Sequence, residues 1–305
     1  MTALSAREVR EAAALVRERR AATDRALKRR GLAVLAVGLS FGLALLLAWA
    51  GGWRMEESRL QLLVVTGAAS FAAMLVWALA PSRRQLLSEK SALAPLVLEA
   101  LGDFDYAPGG RIAEDMLARS RLFGRWSDYS GGDLVRGEHE GLPFGYARAA
   151  LTRGGPAKLE SLVTSGKVKE VFRGAVLAVE GLPPAAGAAF AVTDRGRAMD
   201  WLADLSAGMP ELRRRESGAL EVWAASPEDA GRLARTELAE ALAALCKAAD
   251  AGSAELGLHG TAALVKLHTR RPILPGIAED PVDEARDLHR EMKAALALVA
   301  ALARA

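Results

Sequence analysis

The chain has 305 residues, of which 51% are hydrophobic and 25% are charged, and its formal net charge is +3. Nine Lys or Arg and only four acidic residues fall within the first thirty positions, so the basic excess is local. This distribution removes the main electrostatic support for nucleic-acid binding. The single cysteine, Cys246, cannot form an internal disulfide, which fits a reducing compartment.

Residues 1–30 contain no Gly or Pro, and Ser5 and Glu8 stand at the spacing of a capping box, so a helix is predicted here. We expect this basic, amphipathic helix to lie in the cytosol. Two interpretations remain open for it: its arginines lie near anionic lipid headgroups, or it is an ordinary solvated helix.

Two runs without a charged residue follow, at 31–53 and 60–82. Each would reach roughly 34 Å as a helix, whereas a bilayer core is about 30 Å thick. The runs therefore predict a transmembrane hairpin over 31–82. Basic residues on both flanks place both termini in the cytoplasm. The "AWA" at 48–50 resembles a signal-peptidase site, but the charged region ahead of it is too long for an ordinary secretory signal.

Small residues recur at helical spacing in both runs: Gly38 and Gly42 in the first, Gly67 and Ser70 in the second. Such positions let two helix backbones approach closely in lipid. The simplest expectation is that the two spans pack on each other. The alternative is self-association through the same faces, which would make the protein a homo-oligomer.

The sequence pattern of residues 83–305 predicts a cytosolic α+β domain with antiparallel hairpins and a long C-terminal helix. "DLVRG" and "FGYARAAL" are two strands joined by a turn at 138–143. Ser226 and Pro227 predict a helix start after a strand at 219–225, and another hairpin is centred on Gly260. The remaining predicted elements are helices at 84–102 and 111–121, strands at 170–181 and 188–194, and a helix from Pro281.

The chain resembles, over most of residues 30–300, a bacterial membrane protein family catalogued as domain of unknown function 3137, and the most specific portion is 120–181. The matching positions are Leu122, Phe123, Asp128, Tyr129, Gly131, Asp133 and Gly137, followed by Phe172 and Gly174. The resemblance implies an integral protein of the bacterial inner membrane without an established activity. It also implies a LemA-type membrane protein as a partner, since the genes of the two families are often neighbours.

Four polar residues are candidates for a hydrolytic site: Asp103, Asp105, Asp133 and His139. Carboxylates and a histidine can provide a general base, and the aspartates can bind a hard cation. Their spacing follows no known loop, and neighbouring strand residues point in alternating directions. We therefore assign no catalytic residue, no metal and no cofactor from the sequence.

Five arginines are candidates for an anion-recognition surface, because each guanidinium offers a planar fork of donors. They form two runs, Arg213, Arg214 and Arg215, and Arg270 and Arg271, which would have to meet in space. The simpler interpretation is that both runs are solvated loops.

These patterns favour a membrane-anchored, non-enzymatic module whose cytosolic domain binds an unknown protein partner, with the lipid bilayer as its second partner. One alternative is a membrane-associated hydrolase that uses the four polar residues. Another is an oligomeric transport or pore subunit, although neither apolar run contains an ionisable residue.

Overall fold

The computed structural model describes residues 97–154, 169–193, 211–216, 220–269 and 281–305 continuously, residue 209, and part of the segment between 14 and 95. The chain divides into two compact units, one within 14–90 and a larger one that contains 91–305. Each unit is described separately below.

In the smaller unit, residues 28–40 are helical, and Gly67, Ser70 and Phe71 also have helical conformation. A Cβ atom at Gly38 would overlap the Phe71 ring, so the two helical segments approach each other closely at this glycine. Val34, one turn earlier, is only 8% exposed. By contrast, a Cβ at Gly42 would meet nothing within 4 Å, and Leu32, Leu35, Val37 and Leu39 are exposed.

The predicted transmembrane hairpin is wrong for the part of the chain that the structure describes, where no helix is both long enough and apolar enough to cross a bilayer. The helical stretch 28–40 would measure about 20 Å, and its first three residues are basic. The inner-membrane localisation was predicted from this hairpin, and it is not supported for the same reason. Of the two predicted spans, the structure describes only residues 31–40, Gly42, Gly67, Ser70, Phe71 and Met74. The rest of 31–53 and 60–82 lies outside the described part, as does most of the predicted basic helix at 1–30.

The larger unit is built on one antiparallel sheet of nine strands among the described residues, in the order β1-β2-β3-β4-β9-β8-β5-β7-β6. The predicted hairpins form its centre. The strands are β1 (Asp105–Ala107), β2 (Asp128–His139), β3 (Leu142–Arg153), β4 (Lys169–Val179), β5 (Ala189–Val192), β6 (Arg213–Glu216), β7 (Glu221–Ala224), β8 (Ala251–His259) and β9 (Ala262–Thr269).

Helices and a loop cover the two faces of this sheet. The helices are α1 (Glu114–Ser120), α2 (Pro227–Leu233), α3 (Thr236–Ala248) and α4 (Pro281–Arg304). On one face, Leu242 of α3 and Leu296 of α4 join a core with Leu177 of β4. On the other face, Leu117 of α1 and Leu122 of the following loop pack with the opposite side of the same strands. Central strands are therefore buried on both sides.

The β2–β3 turn is tighter than predicted. Only Glu140 and Gly141 lie between the strands, both with positive φ, at 53° and 76°. Two left-handed residues match the twist of a two-residue hairpin, so pairing can extend as far as His139 and Leu142. Glu138, His139, Leu142 and Pro143, which were predicted as turn residues, belong to the two strands.

Helix α2 begins as the sequence predicts. The Ser226 hydroxyl accepts a hydrogen bond from the Asp229 backbone N–H, and Pro227 occupies the first helical position. The buried Asp229 carboxylate also accepts hydrogen bonds from the backbone N–H groups of Ala186 and Gly187. The start of α2 is thus fastened to the loop that precedes β5.

Gly174 marks the closest approach of β4 to its neighbour β9. A Cβ atom there would overlap the carbonyl oxygen of Leu267, which belongs to the backbone and cannot rotate away. We expect Gly174→Ala to lower the free energy of unfolding by about 2 kcal/mol or more, since overpacking forces the strands apart. Urea unfolding measures the change.

Gly231→Ala in α2 is the control, because nothing lies within 4 Å of a Cβ at that position. It should leave stability unchanged or raise it by up to about 1 kcal/mol, through the better helix propensity of alanine. Equal stability of the two variants would contradict the close approach.

Candidate functional site

The four residues predicted for a hydrolytic site do not share a centre. Asp133 and His139 are six positions apart on β2, which is roughly 20 Å of extended strand. Asp133 accepts a hydrogen bond from the Tyr106 hydroxyl at 2.8 Å, and Asp105 pairs with Arg136 at the surface, at 3.3 Å. Asp103 is exposed, two residues before Asp105. Among the described residues, no group of three or more His, Cys, Asp or Glu could hold a metal ion.

The arginine run at 213–215 lies in a strand rather than in a loop. It forms most of β6, which pairs with β7 at one edge of the sheet. Arg214 makes an ion pair with Glu221 of β7 at 2.9 Å, and Arg213 donates to the carbonyl of Leu212. Arg270 and Arg271 lie outside the described residues, so the predicted anion surface remains a prediction.

A buried charge cluster lies where the loop after α1 covers the sheet. Glu255 and Lys266 are directly opposite each other on β8 and β9, and they are only 1% and 5% exposed. The Lys266 Nζ lies 2.6 Å from one Glu255 carboxylate oxygen, and His268 Nε2 lies 3.0 Å from the other. One ammonium and one imidazole thus share a single carboxylate.

The same ammonium holds the covering loop. Lys266 Nζ donates to the carbonyl oxygen of Leu122 at 3.1 Å. It also lies 5.5 Å and 5.6 Å from the ring centres of Phe123 and Phe172, within the range of cation–π attraction. The cluster therefore connects β8, β9, β4 and the loop, which is a structural role.

Opposing effects set the protonation of this cluster. Burial alone raises the pKa of Glu255, but the hydrogen bond with His268 and the charge of Lys266 outweigh it, so the pKa lies below its ordinary 4.5. Burial lowers the pKa of Lys266, and the attraction of Glu255 only partly offsets that effect. Glu255 is consequently ionised at neutral pH.

A second network fastens α4 to the other face of the sheet. Glu291 of α4 is 2% exposed and accepts hydrogen bonds from the Tyr146 hydroxyl and from Arg148 Nη2, both on β3. The Arg148 Nη2 atom lies 2.6 Å and 2.7 Å from the two Glu291 oxygens. This network fixes the rotation of α4 and thereby decides which of its residues face outward.

The outward surface between α3 and α4 is an open groove of about 480 Å³. It has an apolar floor and a basic rim. Lys247 of α3 and Arg290 and Lys293 of α4 supply the cations, and the floor consists of Ala244, Ala248, Ala294 and Ala297. We call this surface the α3–α4 groove.

A second cavity of about 260 Å³ lies between α1 and the β8–β9 hairpin. It contains Ser120, whose hydroxyl donates to the carbonyl of Leu117 and accepts from the backbone N–H of Leu122. His259 and Glu180 are exposed at its edge. Because the serine hydroxyl is engaged locally, it is not placed as a nucleophile with a neighbouring base.

The sequence contained a signal for the buried pair that we did not use. A hairpin turning at Gly260 and Thr261 places Glu255 opposite Lys266, and opposite charges at facing positions stabilise a sheet. Our sequence analysis predicted this hairpin but did not pair the two charges. It also missed the α3–α4 groove, whose two sides are more than forty residues apart in the chain.

No protein-family model matches the chain, and no curated protein sequence matches it. The resemblance to the family of unknown function 3137 therefore stays a prediction, as does the LemA-type partner. One solved structure, that of the mycobacterial trehalose monomycolate transport factor A (TtfA), is similar over 70% of this chain and 97% of that chain. Its sequence identity is 13% and its TM-score 0.31, a likeness too weak to support an argument about function.

Removing the charge of Glu255 should destabilise the protein, because Lys266 would remain buried without its counter-charge. We expect Glu255→Gln to lower the free energy of unfolding by about 3 kcal/mol at neutral pH. Glu170→Gln breaks a half-exposed pair with Arg173 and should cost less than about 1 kcal/mol. Urea unfolding compares the two variants.

The effect of Glu255→Gln should also depend on pH. A carboxylate whose pKa is lowered in the folded state stabilises that state above its ordinary pKa, and this contribution is lost as the pH falls through the folded value. The gap between wild type and variant should therefore narrow below about pH 4.5. A gap that stayed constant under acid conditions would contradict the ionic character of the cluster.

The thiol of Cys246 should be slow to react, since burial raises its pKa to about 11. At about pH 8 the thiolate fraction would be roughly a hundredfold smaller than that of an ordinary thiol. Mass spectrometry of the folded protein with iodoacetamide should show slow alkylation, and the protein unfolded in urea should react fast. Equally fast alkylation of both would show that the thiol is activated.

Proposed function

We propose that the sheet domain is a non-enzymatic binding module that takes a protein partner in the α3–α4 groove. The observation that carries this proposal is the groove itself, because it combines an apolar floor with three cations at its rim. Protein interfaces commonly have such a centre and such a polar rim.

The use of the buried charges supports a binding role over a catalytic one. Glu255 is shared by Lys266 and His268, and Glu291 by Tyr146 and Arg148. These groups join strands, a helix and a loop, so their bonds fix how these parts of the scaffold dock on one another. A hydrolase would need its base beside a nucleophile or a bound water. Of the residues first considered for that task, Asp103 precedes β1, Asp105 begins β1, and Asp133 and His139 lie six positions apart on β2.

The pore alternative depended on the transmembrane hairpin and is set aside with it. The groove, in contrast, lies wholly within the larger unit. Its two walls are rigid helices that are packed on the sheet through Leu242, Leu245, Met292 and Leu296. A site on packed helices is held more rigidly than one on a loop.

Site-specific photocrosslinking tests the proposal. A benzophenone amino acid replaces Ala297, whose exposed side chain on the groove floor leaves the core intact. In the native host, we expect one reproducible protein adduct. The same reagent at Lys169, which is exposed at the start of β4, should not give that adduct.

Two outcomes would contradict a binding role for the groove. One is the absence of any specific adduct at position 297, and the other is the same adduct from position 169. Thermal unfolding of both labelled proteins shows that the probe has not disturbed the fold.

A further inference from the structure

The two helices that form the groove run antiparallel. At one end, Arg235 at the start of α3 donates to the carbonyl of Arg304, and Arg304 pairs with Glu237 at 3.5 Å. At the other end, Lys247 lines the groove together with Arg290 and Lys293. The groove is therefore an open surface between two antiparallel helices rather than a closed pocket.

Alanines form the floor at helical spacing on both sides. Ala244 and Ala248 lie four residues apart on α3, and Ala294 and Ala297 lie three apart on α4. From Arg290 to Ala297, α4 rises about 10 Å, which is two turns. Small side chains at a helix contact allow a short interaxial distance, so a third helix can lie over this floor.

Two of the three rim cations have no ion-pair partner among the described residues. Lys247 and Lys293 are exposed and make no ion pair among the described residues, whereas Arg290 pairs with Asp287 at 2.5 Å. An occupant that placed carboxylates at both edges would be attracted, and a basic one would be repelled. Charge complementarity therefore selects an acidic partner.

From the floor and the rim together, we propose that the occupant is an acidic amphipathic helix of a partner protein. This inference rests on the proposed function. Small apolar residues on one face of that helix contact the alanines, and its flanking Asp or Glu side chains meet Lys247, Arg290 and Lys293. It is a helix-in-groove mode of recognition, in which apolar anchors recur at i, i+3, i+4 and i+7.

The first test is the identity of the segment crosslinked at position 297. Mass spectrometry of the adduct should find a stretch with helical periodicity and net negative charge. A basic or extended segment would overturn the acidic helix while leaving the binding function intact. Absence of an adduct would instead remove the proposed function, so the two failures are distinguishable.

The second test uses the full chain and a labelled probe peptide of about eighteen residues, with alanine and leucine on one face and glutamate beside them. Its counterpart has lysine at every glutamate position. Fluorescence anisotropy at low salt should show at least tenfold tighter binding of the acidic peptide, and added salt should weaken it. Equal binding of the two peptides would overturn the proposal, as would equally tight binding of unstructured polyglutamate.

Variants then locate the binding. Lys247→Glu with Lys293→Glu should weaken the acidic peptide at least tenfold, and Ala297→Trp should weaken it by filling the floor. Arg153→Glu with Lys169→Glu makes the same charge change at exposed positions on β3 and β4. This control should leave affinity nearly unchanged. An equal loss in both charge variants would show a general charge effect and would count against the groove.

Discussion

The bond network of Glu291 with Tyr146 and Arg148 is the constraint on which the outer surface of the protein depends. Most of the contact between α4 and the sheet is apolar, through residues such as Met292 and Leu296. Apolar packing alone tolerates some rotation of a helix, because burial has no direction. A buried carboxylate that must bond to both a hydroxyl and a guanidinium does not tolerate such rotation. It sets one rotation of α4, and with it the outward positions of Arg290 and Lys293.

On the other face of the sheet, a buried charge cluster holds a loop in place, as Glu291 holds the helix α4. Lys266 holds the carbonyl of Leu122 and is itself held by Glu255. Buried ion pairs add little net stability, since removing two charges from water costs about as much as their attraction returns. A buried cluster of this kind can favour one docking geometry, because an alternative would leave a buried charge without its partner. Both sets of ionisable groups connect separate elements of the sheet domain.

The sequence predicted those parts of the fold that are decided locally. Ser226 and Pro227 mark the start of α2, and the hairpin at Glu140 and Gly141 follows from turn chemistry and alternating strands. The predictions were wrong where we inferred the environment of a segment from its composition alone. Charge-free runs at 31–53 and 60–82 suggested lipid, and the arginines at 213–215 suggested a loop, although they pair with β7. The α3–α4 groove could not be predicted from the sequence, because its two walls come together only through the antiparallel packing of α3 on α4.

Both edges of the described sheet are short. On one side β1 has three residues, and on the other β6 has four, with arginine at three of them. A short or charged border offers few backbone groups to a strand from another molecule. Lateral growth of this sheet into fibres, or its extension by a guest strand, is therefore discouraged at β6 and along the three residues of β2 that β1 covers. Self-templated aggregation, a standing hazard for so large an antiparallel sheet, is thus opposed by the way the sheet ends.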